Sequence, residues 1–121
     1  MPKGKILVID DDEAIRMVVA DFLEDEGFEV FQAKDGSRGV SLQYEKKPDL
    51  TLLDMVLPDT NGIEALKQIK KNSPEAMVIM MSGVQEDASA KQAIALGAYD
   101  YITKPVSMDK LKEDFLDRIF S

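Results

Sequence analysis

The sequence predicts a doubly wound α/β sandwich, and two observations carry that prediction. Five short apolar runs recur along 121 residues: "KILVI" (5–9), "FEVFQA" (28–33), "DLTLLD" (49–54), "AMVIMM" (76–81) and "AYDYIT" (98–103). Three of them are nearly continuous in apolar residues, as strands buried on both faces of a parallel sheet must be. Between the runs lie stretches with apolar residues at helical spacing. Five β-α units in alternation give a parallel sheet with right-handed crossovers and helices on both faces.

Each element has its own signals. The first strand runs straight into Asp10, Asp11 and Asp12, and Asp12 is placed to cap the first helix. That helix carries Ile15, Val18, Val19 and Phe22 at i, i+3, i+4, i+7, and Gly27 stops it. Asp35 or Ser37 can cap the second helix, which contains Gly39, a residue costing about 1 kcal/mol relative to Ala. Pro48 precedes the third strand. Asn61 with Glu64 reads as a capping box opening the third helix, whose apolar face is Ile63, Leu66 and Ile69. Gly97 stops the fourth helix, and Leu111, Phe115 and Ile119 mark the fifth. Periodicity does not fix strand order. Of the two common doubly wound orders, the flavodoxin-like 2-1-3-4-5 suits five strands.

Composition bounds the functions. Hydrophobic content of 45% with 31% charge describes a globular chain, and its length suits one domain over residues 1–121. Cys and His are both absent, which excludes disulfides, thiolate metal sites and an imidazole base. No apolar run approaches the roughly 20 residues of a membrane span, and "MPKGK" carries no secretory h-region, so the cytoplasm is the expected compartment. A net charge of -8 argues against non-specific nucleic-acid binding.

Ligand sites in such sheets lie at the carboxyl ends of the strands, where strand order reverses. For order 2-1-3-4-5 that point falls between strands one and three. Asp10 and Asp11 follow strand one, and Asp54 ends strand three. Adjacent strands are about 4.8 Å apart, so these carboxylates share one crevice. Ser82 and Lys104 end strands four and five on the same edge. Taken singly, an Asp after a strand is often a helix cap, a Ser a turn residue and a Lys surface charge. Asp54 resists that reading, because it follows the buried-type run "TLL" and an unpaired buried carboxylate is costly. Three close carboxylates remain ionised together only when a divalent cation shares their charge. Hard oxygen ligands suit Mg²⁺. A carboxylate beside Mg²⁺, an ammonium and a hydroxyl can accept a phosphoryl group.

The segments "ILVIDDDEAIR", "PDLTLLDMVLPDTNGIE", "MMSG" and "LGAYDYITKP", followed by an amphipathic helix, resemble the receiver domains of two-component response regulators. The resemblance covers essentially the whole chain. It implies that Asp54 is the phosphoacceptor and that Asp10 and Asp11 form the acidic pair. Asp11, Asp54 and the main-chain carbonyl of Val56 would hold Mg²⁺ directly. Lys104 would contact the phosphoryl group, with Lys104–Pro105 a cis peptide. Ser82 would be the switch hydroxyl, and Tyr101 the aromatic that moves with it. A histidine kinase or phosphotransfer protein would supply the phosphoryl group, since this chain has no His. The domain would catalyse only its own phosphorylation and dephosphorylation. Its helix 4–strand 5–helix 5 face would then control a downstream protein or effector domain, or form a homodimer. Val56 and Val84 would flank the path of the water that removes the phosphoryl group; neither can hydrogen-bond it, which predicts a long-lived phosphorylated state.

Two residues depart from the commonest pattern: Ser82 stands where Thr is more usual, and Gly39 where Ala is typical. Rival classes fit less well. A haloacid-dehalogenase-like phosphatase wants D-x-D-x-T, and "DDDEA" lacks the Thr. A flavodoxin-like electron carrier needs Ser, Thr and Gly donors for a phosphate where this chain has "DDDE". A degenerate receiver acting only as an interaction module would not need the complete residue set.

Overall fold

The computed structural model describes residues 1–83 and 87–121, Asp87 by its backbone alone. Its sheet has the order β2-β1-β3-β4-β5 with all strands parallel. The strands are β1 (Lys5–Ile9), β2 (Glu29–Ala33), β3 (Leu50–Asp54), β4 (Val78–Ser82) and β5 (Asp100–Thr103). The helices are α1 (Glu13–Asp25), α2 (Gly36–Lys46), α3 (Gly62–Asn72) and α4 (Asp87–Ala95). A closing helix, α5, joins Met108–Lys110, a π-wound stretch Leu111–Leu116 and Asp117–Ile119. Five strands in the flavodoxin-like order with five helices are what the sequence predicts.

Alternation along the strands divides the core. Ile6, Val8, Leu50, Leu52, Ile79 and Met81 pack with α1 and α5 residues. Leu7, Ile9, Leu53, Val78 and Met80 pack with residues of α2, α3 and α4. The winding direction reverses after β2, and crossovers of one hand then place α2 on the opposite face from α1. Thr51, within β3, donates its buried hydroxyl to Gln43 of α2, so this buried polar side chain is satisfied.

The helix ends follow the sequence signals. Asp12 caps α1 by accepting from Ile15 N–H, and Asp35 rather than Ser37 caps α2. Gly27 and Gly97 both have positive φ, 101° and 110°, which an L side chain rarely adopts. Only half of the predicted capping box forms. Asn61 accepts from Glu64 N–H at 2.9 Å, while the Glu64 carboxylate turns to Lys67 at 3.3 Å.

Two packing details differ from the sequence reading. In α1 the buried residues are Val19, Ala20 and Leu23, whereas Ile15 and Val18 are exposed. The inward face is 16, 19/20 and 23, and its first-turn position is held by Arg16. That guanidinium bonds to the crevice wall; of the predicted stripe, Val19 is buried and Phe22 packs against the core, while Ile15 and Val18 face outward. In α5 the buried set is Leu111, Phe115 and Leu116. π-winding brings i and i+5 closer to one face than the α-periodicity assumed.

Candidate functional site

The carboxyl ends of β1 and β3 lie side by side, with Ile9 opposite Leu53. The next residues therefore deliver Asp10 and Asp54 into the crevice between them. Asp10 is fully buried. Its Oδ1 accepts from Asp12 N–H at 3.0 Å; its Oδ2 has no aligned hydrogen-bond donor and lies 3.3 Å from Lys104 Nζ. Asp54, only 4% exposed, accepts from Val56 N–H at 3.2 Å on Oδ1 and from Lys104 Nζ at 2.7 Å on Oδ2. Asp11 is exposed at the crevice mouth. Carboxylate oxygens of Asp10, Asp11 and Asp54 all lie within 4.8 Å of one another.

Lys104 reaches this point because β5 pairs with β4. Its N–H donates to the Ser82 carbonyl at 2.7 Å, and the Lys104–Pro105 peptide is cis as the resemblance implies. Ser82 is buried at the end of β4. Tyr101, two residues back from Thr103, is half-buried and packs against the α2–α4 side of the core. Val56 is 56% exposed, so its side chain is not committed to packing. Val84, named with it for the water path, lies outside the described residues. Apart from Tyr101, which lies further back in β5, the other side chains of the predicted site stand at one edge of the sheet.

Charge in the crevice is out of balance. Burial, the largest influence, pushes the Asp54 carboxyl up from 3.8 to about 6. Hydrogen bonds from Lys104 and Val56 oppose that rise, and the like charge of Asp10 adds to it. At Lys104 burial works against the ammonium, but Asp54 and Asp10 outweigh it and raise its pKa above the usual lysine value. Asp54 holds its proton more tightly chiefly because it is buried, and Lys104 because two carboxylates face one ammonium. A divalent cation fits that surplus, and the unaligned Asp10 Oδ2 is a buried acceptor with capacity to spare.

Two further residues shape the crevice without any sequence signal that marks them. Arg16 donates through Nη1 to the Asp10 carbonyl at 2.8 Å and through Nε to Gln32 of β2 at 3.1 Å. It ties the β1–α1 turn to the neighbouring strand. Asp59, in the turn-rich "LPDTNG", binds the start of α2. In sequence it reads as one more turn residue.

Fold and crevice together define a class: doubly wound α/β domains with a carboxylate cluster at the switch point, suited to a metal ion and an aspartyl phosphate. A family model described as the response regulator receiver domain matches residues 6–115, and the chain belongs to that family. It is 38% identical over 110 residues to the chemotaxis protein CheY of Bacillus subtilis (strain 168), spanning 90% of this chain and 92% of that protein. The Thermotoga maritima chemotaxis protein CheY is 36% identical over 110 residues, 90% of this chain and 92% of that protein. A Clostridium thermocellum receiver domain superposes with a TM-score of 0.90 at 33% identity, covering 96% of this chain and 94% of the other. NtrX from Brucella abortus superposes with a TM-score of 0.89 at 38% identity. That match covers 99% of this chain but only 27% of NtrX. Receiver domains are regulatory phosphoacceptors of two-component signalling that work with histidine kinases and effector domains. Among the described residues, no helix is long and apolar enough to cross a membrane.

Proposed function

We propose that the chain is a single receiver domain over residues 1–121 that is phosphorylated on Asp54 in a Mg²⁺-dependent reaction. The observation that carries this reading is the Asp54 carboxylate, buried at the end of β3 with Lys104 Nζ at 2.7 Å and the Asp10 and Asp11 carboxylates alongside. Asp10, Asp11, Asp54 and the Val56 carbonyl are the groups that would hold the cation. Held by these groups, a Mg²⁺ ion would supply positive charge to offset that of the phosphoryl oxygens. An Asp54 oxygen attacks the phosphorus of a phosphohistidine, the P–N bond breaks, and the imidazole leaves with that electron pair. Lys104 pairs with a phosphoryl oxygen and holds the group in line.

Output follows from Ser82 and Tyr101. The phosphoryl oxygens attract the Ser82 hydroxyl, the turn after β4 follows, and Tyr101 moves further into the space behind it. This biases a two-state surface made by α4, β5 and α5 toward its active form. The reader of that surface is a downstream protein, an effector domain or a second copy of the chain. The phosphodonor docks elsewhere. Ile15, Val18, Pro105, Val106 and Met108 line an apolar groove of about 250 Å³ that shares Lys104 with the crevice. A histidine-bearing helix lying in that groove would bring its phosphoryl group to Asp54.

Mass spectrometry after incubation with Mg²⁺ and acetyl phosphate tests the reading. One phosphoryl group is expected on the wild type and none on Asp54→Asn. An unlabelled wild type would mean an interaction module, and turnover of simple phosphate esters would mean a phosphatase. The same labelled sample reports lifetime. Val56→Asn, which supplies a group able to hold water, is expected to lose its phosphoryl group several-fold faster; equal decay would remove the exposed valine from the argument.

A further inference from the structure

The first turn of α2 leaves no backbone N–H without an acceptor, but its acceptors come from two places. Asp35 takes Arg38 N–H on its carboxylate at 2.8 Å and Gly39 N–H on its carbonyl at 3.1 Å. The other two belong to Asp59, whose Oδ1 accepts from Gly36 N–H at 2.8 Å and Oδ2 from Ser37 N–H at 3.0 Å. A helix start needs acceptors for these groups, and a neighbouring residue normally supplies them. Here half of them come from the loop that follows the phosphoacceptor strand.

That loop is held at both ends. At its base Val56 and Asn61 form an antiparallel bridge, and Gly62 N–H donates to the Met55 carbonyl at 2.8 Å. At its tip Asp59 grips α2, and the approach is close enough to exclude a side chain at Gly36. A Cβ there would lie 2.3 Å from Thr60 Cγ2 and 3.3 Å from Asp59 Oδ1. Val56 lies within this loop, and its N–H donates to Asp54 Oδ1.

We infer that Asp59 is a positioning residue for the phosphoacceptor site: by hooking the 55–61 loop onto the start of α2, it fixes the Val56 main chain against Asp54 and the cation. The inference rests on the reading of the crevice as a Mg²⁺ site. Asp59 touches neither the phosphoryl group nor the metal; it acts through the backbone it anchors. Removing it leaves every carboxylate of the crevice in place and releases the loop that carries the carbonyl ligand.

Asp35 provides the control, since it caps the same helix end by accepting from N–H groups of α2 itself. Thermal melts of the unphosphorylated protein across a Mg²⁺ series, metal alone, give an apparent affinity for wild type, Asp59→Ala, Asp59→Asn, Gly36→Ala and Asp35→Ala. Both Asp→Ala variants are expected to melt lower without metal. Only Asp59→Ala is expected to weaken Mg²⁺ binding, by on the order of 10-fold, the range for groups that orient a ligand from behind. Asp59→Asn, keeping one acceptor oxygen, should fall between. Gly36→Ala, which pushes the loop away with the carboxylate intact, should weaken binding in the same direction. Asp59→Asn carries the comparison if Asp59→Ala does not fold. Wild-type affinity in the Asp59 variants, or equal weakening in Asp35→Ala, would overturn the inference. A wild type without any Mg²⁺ response would overturn the site reading itself, a distinguishable result.

Discussion

Asp54 sits among groups that pull its proton in opposite directions, and the balance has a consequence for stability. Burial lifts its carboxyl from 3.8 to about 6 against the hydrogen bonds of Lys104 and Val56. The folded metal-free protein therefore binds a proton at Asp54 more tightly than the unfolded chain does. Between those two pH values stability falls as pH rises: the penalty is absent below about 3.8 and complete above about 6. At about 1.4 kcal/mol per pH unit, it amounts to about 3 kcal/mol. Asp54→Asn should lack this falling limb, because its amide does not ionise. Urea midpoints in chelator from pH 4 to 7 would show a wild-type curve converging on the variant at the acid end. Parallel curves would mean that the native site does not raise this carboxyl. Arg16 illustrates the same scale differently. One cation, placed toward the sheet side of α1, bonds the Asp10 carbonyl and ties that helix to the crevice wall.

At the scale of elements, α2 and β1 fit by subtraction. Gly39 looks like a weak point in a helix, and Ala there should add about 1 kcal/mol from propensity alone. The packing argues otherwise. A Cβ at 39 would lie 2.5 Å from Ile9 Cδ1 and 2.9 Å from Ile9 Cγ1, and Ile9 is fully buried at the end of β1. Overpacking of this kind costs about 1–3 kcal/mol and should outweigh the propensity gain. Gly39→Ala is expected to melt below the wild type. Adding Ile9→Val, which removes the δ-methyl, should return part of the loss. A more stable Gly39→Ala single variant would show that Ile9 moves aside freely. Because Asp10 directly follows Ile9, such a shift would reach the crevice.

At the scale of the whole molecule, the strand order decides where everything happens. Reversal of winding leaves a gap between the ends of β1 and β3, and no helix crosses it among the described residues. On the proposed reading, this gap is where the cation and the phosphoryl group would sit. Beside it, apolar residues of α1 and the 105–108 segment line the separate groove proposed for docking. The two functions should come apart. Val18, 59% exposed, can become Lys with little effect on folding, within about 0.5 kcal/mol. Val18→Lys is expected to be labelled by acetyl phosphate at the wild-type rate. Transfer from the histidine kinase that labels the wild type fastest in a purified panel should slow about 10-fold or more, the equivalent of about 1.4 kcal/mol. Equal slowing by both donors would place Val18 in the crevice chemistry, and no slowing by the kinase would remove the groove from docking.

The sequence by itself determined the alternation of elements, the buried strands and the residues at their carboxyl ends. Those depend on local periodicity and on which residue ends a run, and both are written along the chain. Asp10, Asp54, Ser82 and Lys104 were legible because each marks the end of an apolar run in an α/β pattern. The tertiary structure decided what depends on contacts between elements: which side of α1 faces the sheet, why residue 39 has no side chain, and what closes the start of α2. Asp59 meets Gly36 across 23 residues, through backbone N–H groups that have no sequence signature of their own. Arg16 meets Asp10 at a carbonyl, which every residue has. A side chain's type can be read from the sequence, but the backbone group it will satisfy exists as a partner only after the fold has brought it there.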